Sequence, residues 1–272
     1  MHKRILLASL FLYYLAVLGI YFFLPDSTLK LTLQYIVTLS SLIVAVFAGT
    51  YSLVEYGLHA PKSLTLLYLT LGIGCWFIGE SIWTFYEISG TNPFPSIADM
   101  FYILGYPLML AAFLQEIIAA KVNWNGVSKS LLFLLTLVSI LLGLAVGYFG
   151  IFVAYSPTVP LFNNVVAMGY GIGDLVLIVT SMALLILAWE YRGGELSGIW
   201  MSLFCSFVLV LCADLAFILF NSMYDKVGII RSLTDSIFIL SYLLFAYALL
   251  NYGFTLQQAQ TYLKEKTPKK HT

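Results

Sequence analysis

Glu80, Asp99, Asp174, Asp214 and Asp235 stand in sequence that is otherwise nearly free of charge, and aromatic residues recur beside them at helical spacing. Trp76, Glu80, Trp83 and Glu87 fall three or four positions apart. The same holds for Asp99, Tyr102 and Tyr106, for Tyr170 and Asp174, for Asp214, Phe217 and Asn221, and for Asp235, Phe238 and Tyr242. On a helix this spacing puts residues on one face, so each acid shares its stripe with aromatic rings. Such a constellation can hold a cation, an amine or protons: the acids supply charge and acceptors, ring faces attract cations, and tyrosine hydroxyls can donate to the carboxylates. The candidate ligand-binding residues are therefore Glu80, Asp99, Asp174, Asp214 and Asp235 with Trp76, Trp83, Tyr102, Tyr106, Tyr170 and Tyr242. Asp99, Glu87 and Asp235 have a second reading, as helix caps at a water boundary.

The elements that must position these groups are membrane helices. With 61% hydrophobic and 10% charged residues and a mean hydropathy of +0.95, the 272-residue chain falls in the membrane class, which argues against nucleic-acid binding. Apolar runs long enough to cross a bilayer, roughly 20 residues each, are expected at 5–24, 31–53, 64–87, 100–120, 131–155, 163–189, 197–220 and 231–253. Short loops rich in Pro, Gly, Asn or charge separate them. The first run is longer than a signal-peptide core, and YFFLPDS offers no small-x-small cleavage site, so it is expected to be retained. The fold class is an all-α polytopic membrane protein with eight transmembrane helices.

Acids recur at a near-constant offset. Glu55 and Glu190 lie 135 positions apart, Glu80 and Asp214 134, and Asp99 and Asp235 136. SIADMFYILGYPLMLAAFL aligns with SLTDSIFILSYLLFAYALL, pairing Ser96 with Ser232 and Tyr106 with Tyr242. We therefore expect two tandem four-span repeats, 1–124 and 125–254, followed by a basic tail, 255–272. Four spans per copy is even, so the copies run parallel about a pseudo-twofold axis along the membrane normal. Asp174 breaks the pattern, its counterpart near position 39 being apolar. The positive-inside bias puts both termini in the cytoplasm, with all but Lys30, Lys226 and Arg231 of the 13 lysines and arginines on that side. All five acids then share the outer half of the bundle, and the tail can lie against anionic lipid.

No cofactor and no metal site is expected. Cys75, Cys205 and Cys212 fall in apolar runs without a CxxC pair, and His2, His59 and His271 form no cluster. Gly171, Ile172, Gly173 and Asp174 spell GxGD, which resembles the catalytic motif of presenilin-type intramembrane aspartyl proteases. That likeness covers four residues; the fifth span holds no Asp for the accompanying Tyr-Asp motif, and no Pro-Ala-Leu motif follows near the C-terminus.

A broader resemblance runs in order from the third span to the eighth. W-x-x-G-E-x-x-W-x-x-Y-E at Trp76 to Glu87, PFPSIADMFYILGYPL, GDLVLI at Gly173 to Ile178, CADLAF at Cys212 to Phe217 and LTDSIFILSYLLFAYALL resemble the eight-span N-terminal membrane module of GGDEF and GGDEF/EAL signalling proteins. The resemblance implies a sensory module, and it transfers no ligand or catalytic residue. The chain ends about 20 residues after the last span with no GGDEF or EAL motif, so neither cyclase nor phosphodiesterase activity is expected. The reading that follows is a membrane sensory or ligand-binding module that touches lipid, takes a small molecule or cation, and signals through a separate protein. The alternatives are a transporter of a cation or small molecule and an intramembrane hydrolase using an acid pair such as Asp174 with Asp214.

Overall fold

The apolar runs become helices in a computed structural model that describes residues 2–60, 62–91, 94–120, 127–153, 155–190, 194–224 and 228–266. The helices are α1 (His2–Phe23), α2 (Thr28–Tyr56), α3 (Ser63–Ile88), α4 (Ile97–Ala120), α5 (Lys129–Val146), α6 (Leu161–Glu190), α7 (Glu195–Leu219), the short α8 (Asn221–Tyr224) and α9 (Ile229–Lys266). Eight of them are long and apolar enough to cross a membrane, so the chain is a polytopic all-α membrane protein. Lys121, Arg192, Lys226, Lys269, Lys270 and His271, on which the charge-bias, tail and histidine readings partly rest, lie outside the described residues.

Local chemistry sets the ends. The Ser27 hydroxyl accepts from the Lys30 amide at 3.2 Å and caps α2, which stops at Gly57 with φ 99°. At the start of α4, the Ser96 amide donates to Asp99 Oδ2 at 2.6 Å while the Ser96 hydroxyl accepts from the Ala98 amide at 3.1 Å, a side-chain and backbone exchange close to a capping box. Two elements depart from expectation. Helix α9 runs on to Lys266 rather than ending near 253, because TLQQAQTYLKEK is made of residues that tolerate helix and holds no Gly or Pro. Helix α5 passes at Gly147 into a π-helix, Gly147–Val153. Gly150 and Gly171 bring the backbones of that segment and of α6 together, so that a Cβ on Gly171 would lie 3.3 Å from the Gly150 carbonyl oxygen.

The helices α2, α3, α4, α6, α7 and α9 pack in that cyclic order, with α9 closing back on α2. Outside this ring, α1 lies on α9 and α2, and α5 lies on α6 while its π-helical end reaches α7. Helix α2 meets α9 closely, with the Ser52 hydroxyl donating to the Leu249 carbonyl at 3.0 Å and a Cβ on Gly253 meeting the Ser52 backbone. Cys205 and Cys212 are exposed on the bundle surface rather than buried, an apolar thiol being as suited to lipid as to a core.

The two ends of the ring differ. Toward the chain termini the interior is solid: Phe207 makes edge-on contacts with Phe113 at 5.2 Å and Phe245 at 5.6 Å, and Trp200 meets Tyr252 at 5.2 Å. All of these rings are buried. The fully buried Glu116 of α4 ties this end together, accepting from Lys62 Nζ ahead of α3 and from the Tyr252 hydroxyl of α9 at 2.8 Å. Toward the opposite end, here the far end, the ring is hollow.

Candidate functional site

The hollow is a cavity of about 610 Å³, within the range of small-molecule sites. Its walls carry Trp76, Glu80, Trp83 and Glu87 from α3, Asp99, Tyr102 and Tyr106 from α4, Tyr170 from α6, Asp214 and Phe217 from α7, and Asp235, Phe238 and Tyr242 from α9. Tyr224 of α8, Phe94 of the α3–α4 connection and Ser156 and Val159 of the α5–α6 connection line it at the far end. From Trp76 to Glu87 it follows α3 for 11 residues, about 16 Å at helical rise. Trp76, Tyr106 and Val210 form the floor, and the Phe113–Phe207–Phe245 contact lies directly beneath.

Every residue named from the sequence as a candidate lines this space except Asp174. Asp174 is buried behind Tyr106, whose hydroxyl donates to Asp174 Oδ1 at 2.7 Å. A Cβ on Gly173 would strike the same ring, so glycine there lets Tyr106 lie flat on α6. The Asp174 carboxyl neighbours that of Asp214, and so borders the cavity only through Asp214. Two neighbouring buried carboxyls are compatible when they share one proton.

Most other acids are also met by a phenol. Tyr102 donates to Glu80 Oε2, Tyr170 to Asp99 Oδ1 and Tyr224 to Asp235 Oδ1, each at 2.6 Å. Asp99 thus serves both readings, capping α4 with one oxygen and facing the cavity through the other. The Tyr242 hydroxyl, on a residue only 6% exposed, makes no hydrogen bond among the described residues. Burial and the nearby Asp235 hold the Tyr224 phenol well above its ordinary pKa, so Tyr224 stays a donor.

Helices α3 and α7 face each other across the ring at two heights. Trp76 meets Phe207 with centroids 6.5 Å apart, and Trp83 meets Phe217 at 6.2 Å. Glu80 lies between the two tryptophans along α3, and Asp214 between the two phenylalanines along α7. The pair of acids is therefore bracketed above and below by aromatic contacts.

Arg231 is the group that sequence reasoning missed. Expected only as an outer-side charge where the last span begins, it is 7% exposed, with Nη2 2.7 Å from Glu87 Oε2 and Nε 3.6 Å from Asp235 Oδ2. Its guanidinium lies 5.2 Å from the Tyr224 ring centre and 5.7 Å from that of Tyr35. The signal was present in Arg231 and Asp235, four apart on one helix, but the partners on α2, α3 and α8 are set by tertiary structure alone. No family model, curated protein or solved structure matches the chain.

Proposed function

We propose that this chain is a sensory, ligand-binding membrane protein that admits a small molecule or cation to the cavity from outside the cell and signals through a separate protein on the side of its termini. One observation carries the reading: the cavity is blind. A polar, aromatic chamber at the far end stops on buried aromatic rings, and beneath them the carboxylate of Glu116 is already paired with Lys62 and Tyr252. A transporter needs a route through both halves, which a solid floor of this kind opposes. The motif resemblance to membrane sensor modules supports the same reading.

The expected pair of tandem repeats fits the packing. Moving each helix forward by one repeat turns the α2–α3 contact into α6–α7, α3–α4 into α7–α9, and α2–α9 into α6–α4, all of which occur. Each repeat then lends a helix to the other. A ligand held between Glu80 of one repeat and Asp214 of the other would bias how the halves close. Helix α9 suits the output: it runs unbroken from Tyr242 in the cavity wall to Lys266, 24 residues or about 36 Å further on.

Binding is tested with Ala167→Trp, which places an indole in the cavity wall on α6. A set of cationic, neutral and anionic aromatic compounds is expected to include members that raise the unfolding temperature of the wild type in lipid nanodiscs but not that of the variant. If no compound shifts the wild type more than Ala167→Trp, the cavity is not a binding site. Orientation has its own test. In a cysteine-free background, Thr91→Cys at the far end is expected to react with a membrane-impermeant maleimide in intact cells, and Gln258→Cys on α9 only after permeabilisation; the reverse pattern would invert the topology.

A second reading, an intramembrane hydrolase, draws on one observation, the neighbouring Asp174 and Asp214 carboxyls. A pair sharing one proton can activate water. That reading requires turnover that disappears in both Asp174→Asn and Asp214→Asn, whereas the sensory reading requires none.

A further inference from the structure

Resting on the binding reading above, we infer that the cavity's ligand is an organic ammonium ion, a primary or secondary amine on an aromatic or apolar body, seated between Glu80 and Asp214. The inference comes from counting which polar groups are already committed. A tyrosine hydroxyl has one hydrogen to give, and those of Tyr102, Tyr106, Tyr170 and Tyr224 are given to Glu80, Asp174, Asp99 and Asp235. The only arginine at the site among the described residues is held by Glu87 and Asp235. Between Glu80 and Asp214 the walls leave a ligand acceptors, Glu80 Oε1 and an Asp214 carboxyl that receives no donor among the described residues, while the Trp83 indole N–H and the Asn163 amide are lining donors likewise without a hydrogen bond there. Among the described residues the one uncommitted hydroxyl of the lining is Tyr242, 94% buried. A ligand that completes this set must bring hydrogen-bond donors, at least one for each acid.

Charge and shape narrow the class. Among the described residues the lining includes Glu80, Glu87, Asp99, Asp214 and Asp235 but no lysine or arginine, so a cationic donor is favoured over a neutral one and an anion is repelled. An inorganic ion fits poorly. Among the described residues no group of three or more His, Cys, Asp or Glu is placed to hold a metal, and the volume far exceeds one ion. The Trp76–Phe207 and Trp83–Phe217 contacts that bracket Glu80 and Asp214 present ring faces and edges on either side of the position where a charged nitrogen would sit, the setting in which cation–π attraction adds to an ion pair.

The test uses purified full-length protein in nanodiscs with 2-phenylethylamine, its neutral counterpart 2-phenylethanol, its anionic counterpart phenylacetate, and sodium or magnesium chloride at matched ionic strength. Binding is read by tryptophan fluorescence and by unfolding temperature. The amine is expected to bind, with the alcohol and carboxylate at least about 30-fold weaker, the factor that loss of a buried hydrogen-bonded charge pair typically brings. Glu80→Gln and Asp214→Asn are each expected to weaken the amine by a similar factor and to leave the alcohol unchanged. Tyr242→Phe, which keeps the ring, gives a smaller loss for the amine. Equal binding of amine and alcohol, or amine binding that Glu80→Gln and Asp214→Asn leave intact, would overturn the ammonium proposal while the cavity remained a binding site. Binding of the carboxylate alone would do the same. If no compound of any charge binds and Ala167→Trp behaves as the wild type, the binding reading itself fails as well.

Discussion

Arg231→Gln is expected to cost about 3–5 kcal/mol of stability, the usual penalty for removing one partner of a buried ion pair. The guanidinium side chain is 8% exposed, and the two carboxylates it serves, Glu87 and Asp235, are 17% and 11% exposed. Glutamine is too short to reach both and carries no charge, so two acids would be left facing each other at the mouth of the cavity with only the Tyr224 hydroxyl to satisfy Asp235. Arg231→Lys should lose less. It keeps the charge but gives up the planar fork that addresses Glu87 and Asp235 together and stacks against Tyr35 and Tyr224. Denaturant unfolding of the three proteins in the same detergent measures the order wild type, Lys, Gln. A loss under about 1 kcal/mol for Arg231→Gln, the range of an exposed pair, would mean that water already screens the cluster. Amine binding separates this role from a ligand contact: Arg231 neutralises the rim, and its removal adds negative charge there, so affinity for the amine holds or rises while stability falls.

The physical logic of the site is that each acid has a designated neighbour. Burying a carboxylate in a membrane protein is costly unless it is hydrogen-bonded or paired, and a phenol supplies one hydrogen bond without adding a positive charge. Four tyrosines therefore stabilise four acids while preserving the negative potential of the chamber. Asp214 is the exception, since its neighbour is a second acid. The group least satisfied by the protein lies opposite Glu80, at the interface of the two proposed repeats, which is where a ligand would gain most by supplying what is missing.

Much of this was legible in the sequence where the information is local. Trp76, Glu80 and Trp83 announced a helix face at their own spacing, and Asp99 carried a cap among its readings; both depend on residues within two turns of each other. The even offset from Glu80 to Asp214 and from Asp99 to Asp235 carried the idea of opposed walls. Groups whose roles come from distant partners escaped. Arg231 read only as an outer-side charge at the start of the last span because Tyr35 and Glu87 lie far back in the chain. Tyr224 read as part of a turn, although a short helix carries it into the cavity wall. Asp174 was expected to face the ligand, whereas the ring of Tyr106 covers it, an arrangement that depends on the absence of a side chain at Gly173 and that no single helix displays. Glu116 falls four residues before the end of the expected 100–120 span, yet its 0% exposure reflects α3, α4 and α9 closing over it.

Glu116 carries the second large expectation. Lys62→Met should cost about 3–5 kcal/mol, because it leaves a fully buried carboxylate with no cation. The Tyr252 hydroxyl at 2.8 Å and the Thr65 hydroxyl at 3.5 Å would be its remaining partners. Adding Glu116→Gln removes the charge and keeps a group that can accept from Tyr252, so the double variant should regain most of the loss and the two changes should be strongly non-additive. Lys62 also sits at φ 69°, a conformation that costs a non-glycine residue of order 1 kcal/mol or more. Lys62→Gly relieves that strain but removes the ammonium, and it is expected to fall below wild type by less than Lys62→Met does. Additive behaviour of Lys62→Met and Glu116→Gln would show that the ion pair contributes nothing beyond its separate parts. The position of the pair gives the result functional weight. Tyr252 lies on α9 between Tyr242 in the cavity wall and the end of the helix at Lys266, so this lock holds the proposed output helix against α3 and α4. Tyr252→Phe, which keeps the ring but removes the hydroxyl that ties α9 to Glu116, should bind the amine with unchanged affinity while any ligand-driven change in the accessibility of Gln258→Cys is lost or diminished. If that change persists at full size, α9 does not transmit through this contact.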